Sequence, residues 1–226
     1  MSPVGKTKGQ RITRAPFDEH AAAAVYHTLQ RQFAYWQQRL LTNLHNAWAE
    51  HGIVAKAEGD TPLWPWVDDV IDDAIDQPSG SAMRTVADAL AQSYSGAAGS
   101  VIRQLDVDDP NAMLLRTHTE AVNYSAGRSA ELVGRRYNAA GDLVDNPSAD
   151  WSIASTTRDV LRREIRDAVA THGDVDKLAD RTSDTGIFSD ERAEKKARTE
   201  LSMAMNQGTL EAGRQARRQA TGWSGF

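Results

Sequence analysis

Glu200 lies on one short stretch of chain with Arg192, Arg198, Thr199 and Asn206. A carboxylate near guanidinium groups can serve two kinds of chemistry. It can act as a general base while the arginines hold an anion. It can also belong to a polar network that locks packed helices, each buried polar group finding a partner. Lys196 stands four residues before Glu200, so an ion pair along one helix accounts for part of the pattern. A catalytic site also needs a nucleophile, a metal or a cofactor-binding loop, and none is evident in the sequence. The expectation is therefore a structural network, with no catalytic residue and no cofactor.

The other chemistry-bearing residues carry weaker signals. Of the six histidines, His20 and His27 can share a helix face, while His45 and His51 diverge. No His-Glu-x-x-His pattern or clustered ligand set appears, so no metal is expected. Asp68, Asp69, Asp72 and Asp73, with Asp60 and Asp76 on either side, lack the glycine turn and terminal glutamate of a calcium loop. They read as a solvated helix face whose one plausible use is docking to a basic partner. Trp64-Pro65-Trp66 falls outside a clean helical stripe and is a candidate interface anchor. Trp36 and Trp48 sit on a stripe and read as core. Trp223 and Phe226 lie on a Gly/Ser tail, read as a docking peptide or a disordered end.

Charge is unevenly spread. The net charge is −5, yet Lys6, Lys8, Arg11 and Arg14 make residues 1–16 wholly basic, and residues 60–76 carry only acidic charge. Near the end, Arg214, Arg217 and Arg218 complement the negative pole of a helix. Both basic ends are candidates for salt-sensitive contact with double-stranded DNA, although uniform wrapping of a duplex is not expected.

These residues must be positioned by helices. Strand signals are nearly absent, and the expected class is all-α, a multi-helix bundle with long helices. Residues 1–16, with two prolines and two glycines, read as a flexible basic arm. From Phe17 to about Ala57, Val25, Leu29, Phe33, Trp36, Leu40, Leu44, Ala47 and Trp48 form one apolar face of a long helix. A short amphipathic helix follows from Trp64 to Ile75, then a helix over 82–105 capped by Ser81. Asp109-Pro110 starts the next, over 110–137. Residues 138–151 read as loop, with Leu143-Val144 a short extended piece. Helices are predicted over 153–171, 174–182 and 190–219.

The last of these is the most informative. Ser189 can cap it, and Asp190 and Glu191 suit its positive end. Ala193, Ala197, Leu201, Ala204 and Gly208 recur at helical spacing as a narrow, mostly small stripe that would let a second backbone approach closely. Arg192-Ala193, then Ala197-Arg198-Thr199-Glu200 with Ala204, Asn206 and Gly208, resembles the signature of the phage minor head proteins, the Mu F-like head-morphogenesis family. The upstream order agrees: Thr156-Thr157 before Leu161, then Gly173 and Leu178-Ala179. The resemblance covers roughly residues 118–215. Many members carry a Cys- and His-containing segment after this helix, and this sequence has none.

The resemblance implies a helical head-morphogenesis domain over 110–220, an N-terminal helical region over 17–109 and a tail over 221–226. It implies a minor capsid protein of a tailed phage or prophage that binds the portal protein during head assembly in the bacterial cytoplasm, resides in the virion head, and aids DNA packaging or ejection. Major capsid protein, scaffolding protein and DNA are its further candidate partners. Arg192, Arg198, Thr199, Glu200 and Asn206 would hold the last helix against Thr156–Val169. A DNA-contacting factor that holds the genome end is the alternative, and an enzyme using Glu200 a more distant one.

Composition narrows the rest. No cysteine is present, which removes disulfides, thiolate metal sites and thiol catalysis. No apolar run reaches the roughly 18 residues that span a bilayer, so no membrane partner is expected. No apolar segment follows the basic N-terminus, which gives no expectation of a secretory signal.

Overall fold

The computed structural model describes residues 13–51, 65–75, 80–105, 107–149, 152–170 and 175–220. Among them are seven helices and one two-stranded hairpin, in the order α1 (Glu19–His51), α2 (Pro65–Ile75), α3 (Gly80–Ile102), α4 (Pro110–Leu132), β1 (Arg135–Tyr137), β2 (Leu143–Asp145), α5 (Ile153–Ala170), α6 (Val175–Asp184) and α7 (Asp190–Ala220). The chain is all-α, as its periodicity predicts. None of these helices is long and apolar enough to cross a membrane.

Local signals set most of the helix starts. The Asp18 carboxylate accepts from the Ala21 amide at 3.0 Å and opens α1. Every residue of the predicted α1 stripe from Val25 to Ala47 is buried, and Trp48 packs partly buried beside them. Asp109 caps α4 through the Ala112 amide at 2.9 Å, with Pro110 in the first turn. Ser189 caps α7 by accepting from the Arg192 amide at 3.2 Å.

Several boundaries differ from the sequence reading. Helix α3 already includes Gly80, so Ser81 lies in its first turn and is not its cap. Helix α4 ends at Leu132, five residues before the predicted end. Gly134, at φ 77°, takes a left-handed conformation open to glycine, and Arg135–Tyr137 then pair antiparallel with Leu143–Asp145. The intervening turn is held by Asn138 Oδ1, which accepts from the amides of Ala140 and Asp142 at 2.9 Å each. Leu143-Val144 is extended, as expected.

One hydrophobic core runs from Ala21 of α1 to Ala204 of α7 and draws on α2, α3, α4 and α5. It crosses the boundary expected between residues 109 and 110. The physical reason is the packing of α7, which lies along α3, with α1 and α4 beside it. A smaller cluster of Ala98, Val101, Ile102, Met113 and Ala212 closes the end of the bundle where α3 turns into α4.

The small stripe explains the α3–α7 packing. Ala193, Ala197, Leu201 and Ala204 are each at most 1% exposed. At Gly208 a Cβ would stand 2.2 Å from the Tyr94 carbonyl oxygen and 2.9 Å from its carbon. The backbones of α3 and α7 therefore meet where only glycine fits.

Candidate functional site

The residues singled out on α7 lie in different environments. Glu200 points inward and is fully buried, at 0% exposure. Arg128 of α4 grips it with two parallel bonds, Nε to Oε2 at 2.7 Å and Nη2 to Oε1 at 2.9 Å, the strongest geometry available to this pair. Lys196 adds its Nζ at 3.0 Å from Oε1. Arg128 also reaches Glu131 at 2.7 Å. Burial alone pushes the Glu200 carboxyl up, but hydrogen bonding and charge from Arg128 and Lys196 outweigh it and leave it below the ordinary range. The bond to Glu200 raises the Arg128 guanidinium in turn, against the opposing effect of burial. A carboxylate so enclosed and held by two cations joins α4 to α7.

Arg192 holds a different junction. Its Nη1 donates to Thr157 Oγ1 at 3.0 Å and to the Ile187 carbonyl, and Nη2 donates to the Ile153 carbonyl at 3.5 Å. Its guanidinium carbon stands 5.3 Å from the centre of the Phe33 ring. The side chain thus ties the start of α7 to α5 and to α1. Burial lowers its affinity for the proton.

Arg198 lies on the exposed side, paired with Glu194 at 3.1 Å and with Glu19 of α1 at 3.4 Å. It stacks over Phe17 at 5.7 Å. Thr199 is exposed, and its hydroxyl donates back to the Lys195 carbonyl at 2.8 Å. Asn206 is exposed, and its Oδ1 accepts from Arg14 Nη2 at 2.6 Å. Of the five, Arg192 bonds to α5 among the described residues. Arg192 thus makes the expected contact with Thr157, while Glu200, Arg198 and Asn206 reach α4, α1 and the segment before α1. The cause is the helix phase: successive residues turn by about 100°, so Arg198, Thr199 and Glu200 leave α7 in different directions.

Arg128 was not singled out from sequence, yet its position held a signal. It follows Thr117, Ala121 and Tyr124 at helical spacing, and Thr117 and Ala121 are buried. An arginine on the inner face of a helix requires a buried anion.

The aspartates of α2 stay half-exposed or more, as a solvated face would, yet three of them are also paired. Asp68 accepts from Arg162 Nε at 2.7 Å, and Asp72 stands 2.9 Å from Arg158 Nε, both arginines lying on α5. Asp73 pairs with Arg39 of α1 at 2.7 Å and accepts from Asn43 at 2.8 Å, which holds its carboxyl below the usual range, the Arg39 bond first. Asp69 is exposed with no ion pair among the described residues. Three of the four aspartates thus dock α2 onto this chain's own arginines, because α5 and α1 present those arginines toward it. Trp66 is half-buried against the core and is no exposed anchor. Trp64 lies outside the described residues, as do Asp60 and Asp76.

Lys6, Lys8 and Arg11 also lie outside the described residues, and so do Trp223 and Phe226. The segment at residue 13 is fixed: Gln104 accepts from the Thr13 amide at 2.6 Å and donates to its carbonyl at 2.9 Å. Arg214, Arg217 and Arg218 are exposed on the last turns of α7, Arg214 standing 3.8 Å from Glu211. Among the described residues no group of three or more histidine and carboxylate side chains is placed to hold a metal ion. His20, His27 and His45 are exposed on α1.

No protein-family model, curated protein or solved structure matches this chain.

Proposed function

We propose that this chain is a minor head protein of a tailed phage or prophage that acts by binding, docking on the portal protein during head assembly and residing in the virion. Major capsid protein or scaffolding protein would be its further contacts, and assembly would take place in the bacterial cytoplasm. The observation that supports this reading most is the construction of α7. Its small stripe brings α3 to backbone contact at Gly208, and its buried carboxylate is held by Arg128 and Lys196. The helix that carries the resemblance is thus a rigid spine, and the polar residues of its motif serve the bundle. A spine of this kind suits a part that must present fixed surfaces to an assembly. The outward faces of α4 and α7 offer Leu115, Val122, Met203 and Leu210, each more than 40% exposed.

The test is co-purification of this chain with the portal protein encoded in the same genome, followed by mass determination of the complex. A stable complex of defined stoichiometry supports the proposal, and mapping would start at α1 and those four apolar residues. A monodisperse monomer that ignores the portal would overturn it.

A second reading, a factor that contacts the genome end, is favoured by one observation. The Gln104 clamp fixes Thr13 beside Leu105, which packs in the same small cluster as Ala216. Thr13, the first described residue after Lys6, Lys8 and Arg11, therefore stands at the end of the bundle that carries Arg214, Arg217 and Arg218. Duplex binding that weakens steeply with salt, and whose salt slope falls when the three arginines are replaced by glutamine, is the result this reading requires.

A further inference from the structure

Leu115 of α4 is 71% exposed, the most open large apolar side chain among the described residues, and Val122 stands one heptad further on at 49%. At about 100° per residue, Thr119, Val122 and Ala126 fall within about 40° of Leu115 around the helix. None of the four carries a charge. The stripe faces away from the bundle, since Met113, Thr117, Ala121 and Ser125 make the buried side of α4. Apolar residues exposed singly are ordinary. A charge-free pair at heptad spacing is instead the narrow seam along which two helices associate.

Charge marks one edge of this stripe. Arg116 and Glu120 lie about 100° and 140° from Leu115, both on the same side. Both are exposed, and neither makes an ion pair among the described residues. The opposite edge carries His118 and Ser125, with no lysine, arginine or carboxylate. An edge with one charge of each sign is complementary to its own copy. In an antiparallel pair related by a two-fold axis, like edges meet and every contact occurs twice. With the axis between His118 and Thr119, Leu115 faces Val122 of the partner subunit. Arg116 then lies one residue from level with Glu120 of the partner subunit. In a parallel pair the same two side chains would face the edge without charge.

We propose that the outward face of α4 is an antiparallel interface with a second copy of this chain, with Leu115 and Val122 at its centre and two Arg116–Glu120 pairs along one edge. From Asn111 to Ala126 the seam is about 24 Å long, at about 1.5 Å per residue. A contact of that size belongs at the small end of specific interfaces, so the dimer is weak and forms at micromolar concentration or above. It uses only the exposed apolar residues of α4, so portal binding is a separate measurement and neither result decides the other.

The experiment is analytical ultracentrifugation of the full chain from low micromolar to several hundred micromolar concentration. A monomer–dimer equilibrium is expected. Leu115→Lys, at a position the core does not use, should weaken the dimer by roughly tenfold or more. Arg116→Glu and Glu120→Arg should each weaken it by about tenfold, because each turns two attractive pairs into two repulsive ones. Mixed in equal amounts, these two charge variants should pair with each other about as tightly as the parent chain pairs with itself. The double variant Arg116→Glu/Glu120→Arg should recover the dimer too. A chain that stays monomeric at every concentration would overturn the proposal. So would a dimer indifferent to Leu115→Lys, or charge variants that fail to recover on mixing.

Discussion

Helix α7 meets α3 through residues with almost no side chain, whereas α2 meets α5 and α1 through aspartates and long arginines. In the first contact the backbones approach until Gly208 faces the Tyr94 carbonyl. In the second, Asp68, Asp72 and Asp73 reach Arg162, Arg158 and Arg39 across half-exposed ground. Close approach is unforgiving, because a packed backbone has no rotamer with which to make room. Half-exposed ion pairs are adaptable, since water and salt can substitute for each partner. The stability of α2 must therefore come mainly from Val67, Ile71, Ala74 and Ile75, all at most 2% exposed, with the charges setting its orientation.

The sharpest way to break this contrast is Gly208→Ala. A methyl group 2.2 Å from a carbonyl oxygen cannot be relieved by a rotamer change, so the two helices must separate. We expect a loss of about 3 kcal/mol, near the upper end for overpacking, read by chemical denaturation. Tyr94 supplies a second readout. Burial, with the Glu211 and Glu120 charges, pushes its phenol up to about 12. The folded value exceeds the unfolded one, so stability from neutral Tyr94 is complete below roughly pH 10 and is lost as pH rises toward 12. Separation of the helices should return the phenol toward its ordinary value, which absorbance titration would detect.

Glu200→Gln comes next. It removes a charge that holds Arg128 and Lys196 and leaves the Arg128 guanidinium underpaired, for an expected loss of about 2–3 kcal/mol. The folded-state carboxyl titrates below its unfolded value. Its contribution is therefore complete above roughly pH 4.3 and is lost as the pH falls through the depressed value. The variant should lack this acid-limb dependence, and a pH series of unfolding midpoints for both proteins would test it. Equal acid sensitivity in the two would mean that Glu200 is not the group responsible.

Replacing Asp68, Asp72 and Asp73 one at a time by asparagine should cost far less, about 0.5 kcal/mol each. The losses should shrink further as salt is added. A loss near that of Glu200→Gln at any one of them would erase the distinction between the two regions.

The contrast also marks what sequence could convey. The stripe from Ala193 to Gly208, the Ser189 and Asp109 caps and the long face of α1 are local patterns, repeated every turn or fixed by one residue, and all were legible. Partners were not. Arg128 and Glu200 are 72 positions apart, and nothing near either names the other, although an arginine on an inner face was a hint. The same holds for the aspartates of α2, which look solvated until α5 brings Arg158 and Arg162 beside them. The hairpin was missed because strands of three residues are too short to show alternation. Leu143-Val144 was legible as an extended piece, but its partner strand Arg135–Tyr137 was not.

The smallest prediction is also the control for the largest. Gly213 lies on the same helix, five positions after Gly208, exposed, with nothing within 4 Å of the place its Cβ would occupy. Alanine there removes backbone freedom from the unfolded chain and adds helix propensity, without meeting a neighbour. Gly213→Ala should therefore stabilise the protein by about 0.5–1 kcal/mol. One substitution, made twice on one helix, should change sign between the two sites. If both variants lose stability, helix propensity is not what separates them and the α7 C-terminal turns have a contact of their own. If both gain, α3 and α7 can part at Tyr94 without loss, and the close seam is not what holds the bundle together.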